Sequence, residues 1–245
     1  MLTSELKDGI LTFTLAHGKA SALDLELCQA LQREFQRVAD RDDVRGVVLT
    51  GTGSIFSAGV DLPRLISDGR KYVESFVESL DAMLSMLFLF PKPVVAAING
   101  HAIAGGAIMA FACDYRLMSG GRIGVPEALV GVPFPPIALE VVRFAVPRQH
   151  LQSMLYLGWT IERDEAKSRG IIDEVVTGDD LLLRSRTIAR QFADIAPDAF
   201  RLTKRQIRAP FVGKNAPREI VDLWAAPETH DRIRAYLAKA TKKKV

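Results

Sequence analysis

The chain has 245 residues, of which 48% are hydrophobic and 25% are charged, and this length and composition exclude a disordered or fibrous protein. Its formal charge of +3 comes from 32 basic and 29 acidic residues. Because four of the basic residues are Lys239, Lys242, Lys243 and Lys244 at the end of the chain, the rest carries 28 against 29, a charge of −1, which argues against a nucleic-acid partner.

The first half of the chain alternates between predicted strands and predicted helices. Strands are predicted at residues 10–16, 44–51 and 94–98, from alternating or β-branched apolar runs. Helices are predicted between them, at residues 24–39 and from about residue 72 to residue 90, before the Pro91-Lys92-Pro93 breaker. This order predicts a parallel sheet with crossover helices, an α/β architecture.

The second half is mainly helical by the same criteria. A short strand at residues 115–118 and a strand-like segment at 171–176 interrupt helical patterns at 147–157, 162–169, 180–194, 197–207 and 227–240. We therefore predict a core at residues 1–190 and a C-terminal helical region at residues 191–245, which packs on the core or on a neighbouring subunit.

The chain shows no sign of a membrane or secretory location. No apolar run approaches the roughly 20 residues of a membrane span, and the first ten residues lack the regions of a signal peptide. Its two cysteines, Cys28 and Cys113, are too few for a disulfide framework. We expect a soluble cytoplasmic protein with no membrane partner.

Common catalytic patterns are not found in the sequence. The four histidines are scattered without a second ligand at a suitable offset, so no metal site is predicted. There is no G-x-S-x-G nucleophile elbow and no phosphate-binding glycine loop. No cofactor is predicted.

Two glycine-bearing turns remain, at residues 56–61 (FSAGVD) and 100–106 (GHAIAGG). Each follows a predicted strand and precedes a predicted helix, so each offers backbone N–H groups without an internal partner. Two such turns facing each other can hold a developing oxyanion. The alternative is that the glycines only serve tight turns and close helix packing.

Together with three further segments, these turns resemble the crotonase (enoyl-CoA hydratase/isomerase) superfamily. The matching segments are 21–23 (SAL) for its N-A-L, 56–61 for F-[SA]-A-G-x-D, 91–114 (PKPVVAAINGHAIAGGAIMAFACD) for K-P-x-I-A-A-[VI]-N-G-x-A-x-G-G-G, 124–127 (GVPE) for G-x-P-E, and 157–176 (LGWTIERDEAKSRGIIDEVV) for T-G-x-x-[IL]-x-A-x-E-A-x-x-x-G-[LI]-V.

The resemblance implies a fold, an assembly and a substrate class. It implies a crotonase-like spiral of ββα turns with a C-terminal helical trimerisation region, in a homotrimer or a hexamer. It implies an acyl-CoA thioester as substrate, so that coenzyme A is part of the substrate. The thioester oxygen is expected at the backbone N–H groups of Val60 and Gly105, and the adenine end of CoA near Ala22, Ala58 and Asp61.

The carboxylates of the motif separate the possible reactions. Hydratases of this family use two glutamates, of which Glu127 in G-x-P-E is one. The position of the other holds Ile108, which can neither orient water nor transfer a proton. A single carboxylate suits 1,3-proton transfer, so isomerisation of a 3-enoyl-CoA to a 2-enoyl-CoA is favoured over hydration. Hydrolysis, decarboxylation and weakly active acyl-CoA binding stay open.

Other residues are weaker candidates. Glu140 is a possible second acid and His101 a possible substrate contact, while Asp61 is also a candidate N-cap. The terminal lysines either end a solvated helix or meet the phosphates of CoA. The acyl pocket is expected between the helix at 72–90 and the VPFPP loop at 132–136, with a shape that the sequence does not define.

Overall fold

Two β-sheets and a set of helices make up the residues that the computed structural model describes, which are 1–212 and 218–242. The strands in these residues are β1 (Leu2–Lys7), β2 (Ile10–Leu15), β3 (Gly46–Thr50), β4 (Ile55–Ser57), β5 (Val94–Ile98), β6 (His101–Ile103), β7 (Tyr115–Met118), β8 (Arg122–Gly124), β9 (Thr160–Glu162) and β10 (Glu174–Val175). The α-helices are α1 (Leu25–Ala39), α2 (Leu62–Ser67), α3 (Gly69–Phe88), α4 (Gly105–Phe111), α5 (Glu127–Val130), α6 (Pro136–Ala145), α7 (Arg148–Leu157), α8 (Arg163–Ser168), α9 (Leu181–Ala193), α10 (Pro197–Arg208), α11 (Arg218–Trp224) and α12 (Pro227–Lys242).

The larger sheet has the strand order β1-β2-β3-β5-β7-β10. From β2 to β10 all neighbouring strands are parallel, and helices connect them, so the predicted α/β architecture is confirmed. β1 pairs antiparallel with β2 at one edge. It is absent from the predicted strands because its side chains after Leu2 are all exposed and show no apolar alternation.

The central strands of this sheet are buried on both faces. On one face they contribute to the main hydrophobic cluster with α1 and α3. On the other face α9 packs against β3 and β5, where Ile188 and Ala189 share a cluster with Val48 and Val95. The predicted division between core and C-terminal region, after residue 190, falls within α9. This boundary stays a prediction. The predicted strand at 171–176 is reduced to the two residues of β10.

The smaller sheet, in the order β4-β6-β8-β9, positions the candidate site. Each of its strands has three residues, too few to show a periodic pattern, and none of them is among the predicted strands. β4, β6 and β8 lie side by side in parallel. Their carboxyl ends therefore bring together the two glycine turns and the segment that leads to Glu127.

The C-terminal helices contact the core, and two of these contacts involve buried side chains of α10 and α11. In α10, Lys204 and Arg208 are buried and both contact the carboxylate of Asp114, at 2.7 Å and 2.9 Å. In α11, Trp224 packs against Phe76 of α3. Of the terminal lysines, Lys243 and Lys244 lie outside the described residues. Among the helices described, none is both long and apolar enough to cross a bilayer.

Candidate active site

The first glycine turn is held against the segment before α1. Leu23 N–H donates to Gly59 O (2.7 Å), and Asp61 N–H donates to Leu23 O (2.9 Å). These two bonds involve the residues on either side of Val60 and not the N–H of Val60 itself. No acceptor in the described part of the chain forms a hydrogen bond with that N–H. Ser57 Oγ strengthens the junction by donating to Ser21 O at 2.7 Å.

The three predicted CoA contacts lie at this junction. Ala58 N–H donates to Ala20 O at 3.0 Å, which places Ala58 beside the segment that carries Ala22. The carboxylate of Asp61 accepts a hydrogen bond from Arg64 N–H at 3.1 Å and so caps α2. The structure therefore brings Ala22, Ala58 and Asp61 together, although distant stretches of sequence carry them.

The second glycine turn contacts the first directly. A Cβ atom on Gly59, whose φ is +80°, would lie 2.6 Å from Ile103 O and 2.7 Å from Ala104 Cβ, so only glycine fits there. Gly105 is the first residue of α4, and its N–H therefore has no partner within the helix. Ala104 N–H donates to Gly124 O at 2.8 Å, which connects this turn to the end of β8.

Glu127 begins α5, three residues after β8 ends. Its side chain is buried, and its Oε2 has no hydrogen-bond partner. Burial disfavours the ionised carboxylate and raises the pKa of Glu127 to about 8. A buried carboxyl with a free oxygen and a raised pKa is typical of a general base.

One cavity contains the central residues of the prediction. Ala58, Val60, Gly105, Ile108 and Glu127 all line it. As expected, α3 and the VPFPP loop supply much of the remaining wall, through the side chains Leu80, Leu84, Val132, Phe134 and Pro135.

Two aromatic side chains of the C-terminal helices complete the cavity. Trp224 of α11 and Tyr236 of α12 line it, and the sequence analysis missed both. Neither lies in a motif, and no periodicity distinguishes them from ordinary packing residues. Only the return of the chain over the VPFPP loop places them at the site.

Two weaker candidates lie outside the cavity lining. Glu140 is on α6, and its Oε1 accepts a hydrogen bond from Arg143 at 3.0 Å. His101 is exposed on β6, where its Nδ1 accepts a hydrogen bond from Arg122 N–H at 3.2 Å. The geometry gives neither residue a contact with the reacting groups. Within the described ranges, no group of three His, Cys, Asp or Glu side chains is arranged to hold a metal ion.

Comparison with known proteins identifies the family. A sequence profile described as enoyl-CoA hydratase/isomerase matches residues 5–223. A Thermus thermophilus protein named as an enoyl-CoA hydratase is 34% identical over 197 residues, 78% of this chain and 77% of that protein. The mitochondrial enoyl-CoA delta isomerase 1 of Rattus norvegicus is 27% identical over 212 residues, 85% of this chain and 73% of that protein.

The fold agrees with this match. The crystal structure of human mitochondrial delta3-delta2-enoyl-CoA isomerase superimposes with a TM-score of 0.92 over 100% of this chain and 99% of that one, at 23% sequence identity. The predicted crotonase-like fold is confirmed. With a family profile that covers most of its length, the chain belongs to the enoyl-CoA hydratase/isomerase family of the crotonase superfamily.

Proposed function

We propose that this protein is an enoyl-CoA isomerase that converts a 3-enoyl-CoA to the conjugated 2-enoyl-CoA, with Glu127 as its single base. The observation that carries this proposal is the composition of the cavity. Glu127 lines it with an unpaired oxygen, two backbone N–H donors lie at Val60 and Gly105, and Ile108 occupies the place where a second glutamate would serve hydration.

The reaction follows from this arrangement. The thioester oxygen accepts hydrogen bonds from the N–H groups of Val60 and Gly105, and Glu127 removes a proton from the α carbon. The resulting dienolate carries its negative charge on the oxygen that the two donors stabilise. Glu127 then returns the proton to C4, so the double bond moves from C3 to C2 and the carboxylate is restored.

The apolar wall supports this chemistry in two ways. It excludes water that would trap or protonate the intermediate, and it raises the pKa of Glu127, which makes the carboxylate a stronger base towards a weakly acidic carbon. Ile108, buried on α4, contributes directly to this wall. A hydratase needs the opposite, a polar pair that orients water.

The remaining parts of the proposal concern substrate binding and assembly. The substrate is an acyl-CoA thioester, with the adenine end of CoA near Ala22, Ala58 and Asp61, and no separate cofactor takes part. The C-terminal helices join subunits into a homotrimer or a hexamer. The terminal lysines are candidates for contacts with CoA phosphates.

Isomerisation of 3-hexenoyl-CoA by the purified protein tests the proposal. The change Glu127→Gln keeps the shape of the side chain and removes the base, so we expect kcat to fall by about 10²- to 10⁴-fold. Glu140→Gln is the matched control, because Glu140 is also a buried glutamate but lies outside the cavity lining. A Glu127→Gln protein with the wild-type rate would show that the base is wrongly assigned.

Hydration is the second candidate, favoured by the 34% identity to the Thermus thermophilus protein that is named as a hydratase. It is tested by measuring the rate at which the same preparation hydrates crotonyl-CoA. Release of free CoA is followed in parallel to detect hydrolysis. If hydration of crotonyl-CoA is as fast as isomerisation of 3-hexenoyl-CoA, a single carboxylate suffices for water addition and the preference for isomerisation is wrong.

A further inference from the structure

One side chain in the wall of the cavity is fixed on two sides. Trp224 is almost fully buried, at 2% exposure, and lines the cavity. Its indole N–H donates to Pro133 O at 2.8 Å, and its ring packs against Phe76, with 6.1 Å between ring centroids. The indole therefore bridges the VPFPP loop and α3, two of the elements that form the wall of the cavity.

The backbone of Trp224 is held as well. His230 Nε2 lies 3.1 Å from Trp224 O, which ties the end of α11 to the first turns of α12. α11 packs against α3 and α12 packs against α5, the helix of Glu127. Because a rotation of the indole would break the bond to Pro133 and leave a buried donor unpaired, Trp224 is a fixed wall.

The volume that remains is small. The cavity measures about 80 Å³. An apolar protein cavity of about 150 Å³ holds one benzene molecule, which has six carbons. By that comparison, roughly three or four carbons fit here. Apart from Glu127, the described side chains that line this space offer no ionised group, which favours a hydrocarbon as the bound chain.

We infer that this protein acts on short-chain, unsubstituted acyl-CoA thioesters, with acyl groups of no more than about six carbons, and that Trp224 sets this upper limit. This inference rests on the proposed function, since it concerns the acyl site of the same cavity. Trp224 is a specificity-determining residue, because its position limits how far the acyl chain extends beyond the reacting carbons.

Binding of saturated acyl-CoA thioesters tests the inference without requiring any reaction. In an open apolar groove each added methylene raises affinity about fourfold, so decanoyl-CoA would bind more than about 100-fold tighter than hexanoyl-CoA. For a cavity that Trp224 limits, we expect the reverse order in calorimetric titrations of the wild type, with decanoyl-CoA at least about tenfold weaker. Equal or tighter binding of decanoyl-CoA would overturn the inference, whether or not the protein proves to be an isomerase.

Variants at Trp224 test the wall itself. Trp224→Leu shortens the side chain and removes the bond to Pro133, so the ratio of decanoyl-CoA to hexanoyl-CoA affinity should rise at least about tenfold, with Trp224→Phe intermediate. Trp159→Leu is the matched control, because Trp159 stacks on Arg169 and lies outside the cavity lining. If folded Trp224→Leu or Trp224→Phe protein keeps the wild-type ratio, another residue sets the limit. The wild-type titration decides the short-chain inference even if neither variant folds.

Discussion

At the scale of single residues, the proposed chemistry depends on Glu127. Its carboxyl faces an apolar wall that includes Ile108, and its Oε2 has no hydrogen-bond partner. Desolvation therefore acts on this group without compensation by a nearby cation, and its pKa rises to about 8. A pH dependence of both activity and stability follows.

The pH dependence of kcat/KM for isomerisation reports the ionisation of the free enzyme. Because Glu127 acts as a base only when ionised, we expect kcat/KM to rise with pH and level off above an apparent pKa of about 8. Rates measured from pH 5 to pH 9.5 check this expectation. If kcat/KM instead falls at low pH with an apparent pKa near 4.5, the usual pKa of a glutamate, water or a cation reaches the carboxylate.

The same shift has a consequence for stability with a defined sign. The pKa of Glu127 is higher in the folded protein than the usual 4.5, so the stability that its protonated form provides is complete below pH 4.5 and is lost as the pH rises through about 8. The Glu127→Gln side chain stays neutral. At pH 9 we therefore expect its free energy of unfolding, measured with urea, to exceed that of the wild type by up to about 5 kcal/mol, whereas at pH 4 the two proteins should be equally stable.

At the scale of elements, α10 is anchored through charges inside the protein. Asp114 contacts Lys204 and Arg208, and it also accepts a hydrogen bond from Val94 N–H at 2.7 Å, at the start of β5. Arg208 donates to Phe88 O and Ala112 O, at 2.8 Å and 2.9 Å, where α3 and α4 end. One helix of the C-terminal region thus holds the ends of two helices that line the cavity.

Removal of the central carboxylate tests this anchor. Asp114→Asn keeps the shape of the side chain but leaves two buried cations without their counter-ion, and we expect a loss of about 3 to 5 kcal/mol in the free energy of unfolding. Urea unfolding measures it. Asp198→Asn on α10 removes an exposed ion pair with Arg201, and we expect it to lower the free energy of unfolding by less than about 1 kcal/mol. Equal losses in the two variants would contradict an anchoring role.

At the scale of the whole molecule, large apolar side chains are exposed on the helical second half. They include Leu129, Tyr156 and Leu157 around α5 and α7, and Leu202 and Ile207 on α10. Surfaces of this kind are commonly covered when subunits associate. Of these, Leu202 and Ile207 belong to the C-terminal region and agree with the proposed assembly through it.

Light scattering coupled to gel filtration checks the assembly directly. We expect the mass of a trimer or of a hexamer, unchanged on dilution to the micromolar range. Ile207→Glu places a charge in the proposed contact surface, so it should lower the mass, whereas Arg205→Glu changes the charge of the same helix without removing an apolar contact. A monomeric mass for the wild type would contradict the proposed assembly.

The sequence and the structure agree best where a local pattern carries the information. The long helices α1, α3 and α9 and the strands β2, β3 and β5 follow from apolar periodicity, which depends only on neighbouring residues. The exposed edge strand β1 and the three-residue strands of the smaller sheet lack such a pattern. Their pairing depends on partners far along the chain.

The sequence by itself determined the family, the parallel α/β core, and which residues are candidates for the polar chemistry, because short motifs such as G-x-P-E specify residue types in a fixed order. The tertiary structure decided the burial and the contacts of those residues. Burial of Glu127, the contact between the two glycine turns, and the position of Trp224 and Tyr236 in the cavity wall arise from segments that are distant in sequence. Desolvation and cavity volume are properties of packing in three dimensions, and no local pattern encodes them.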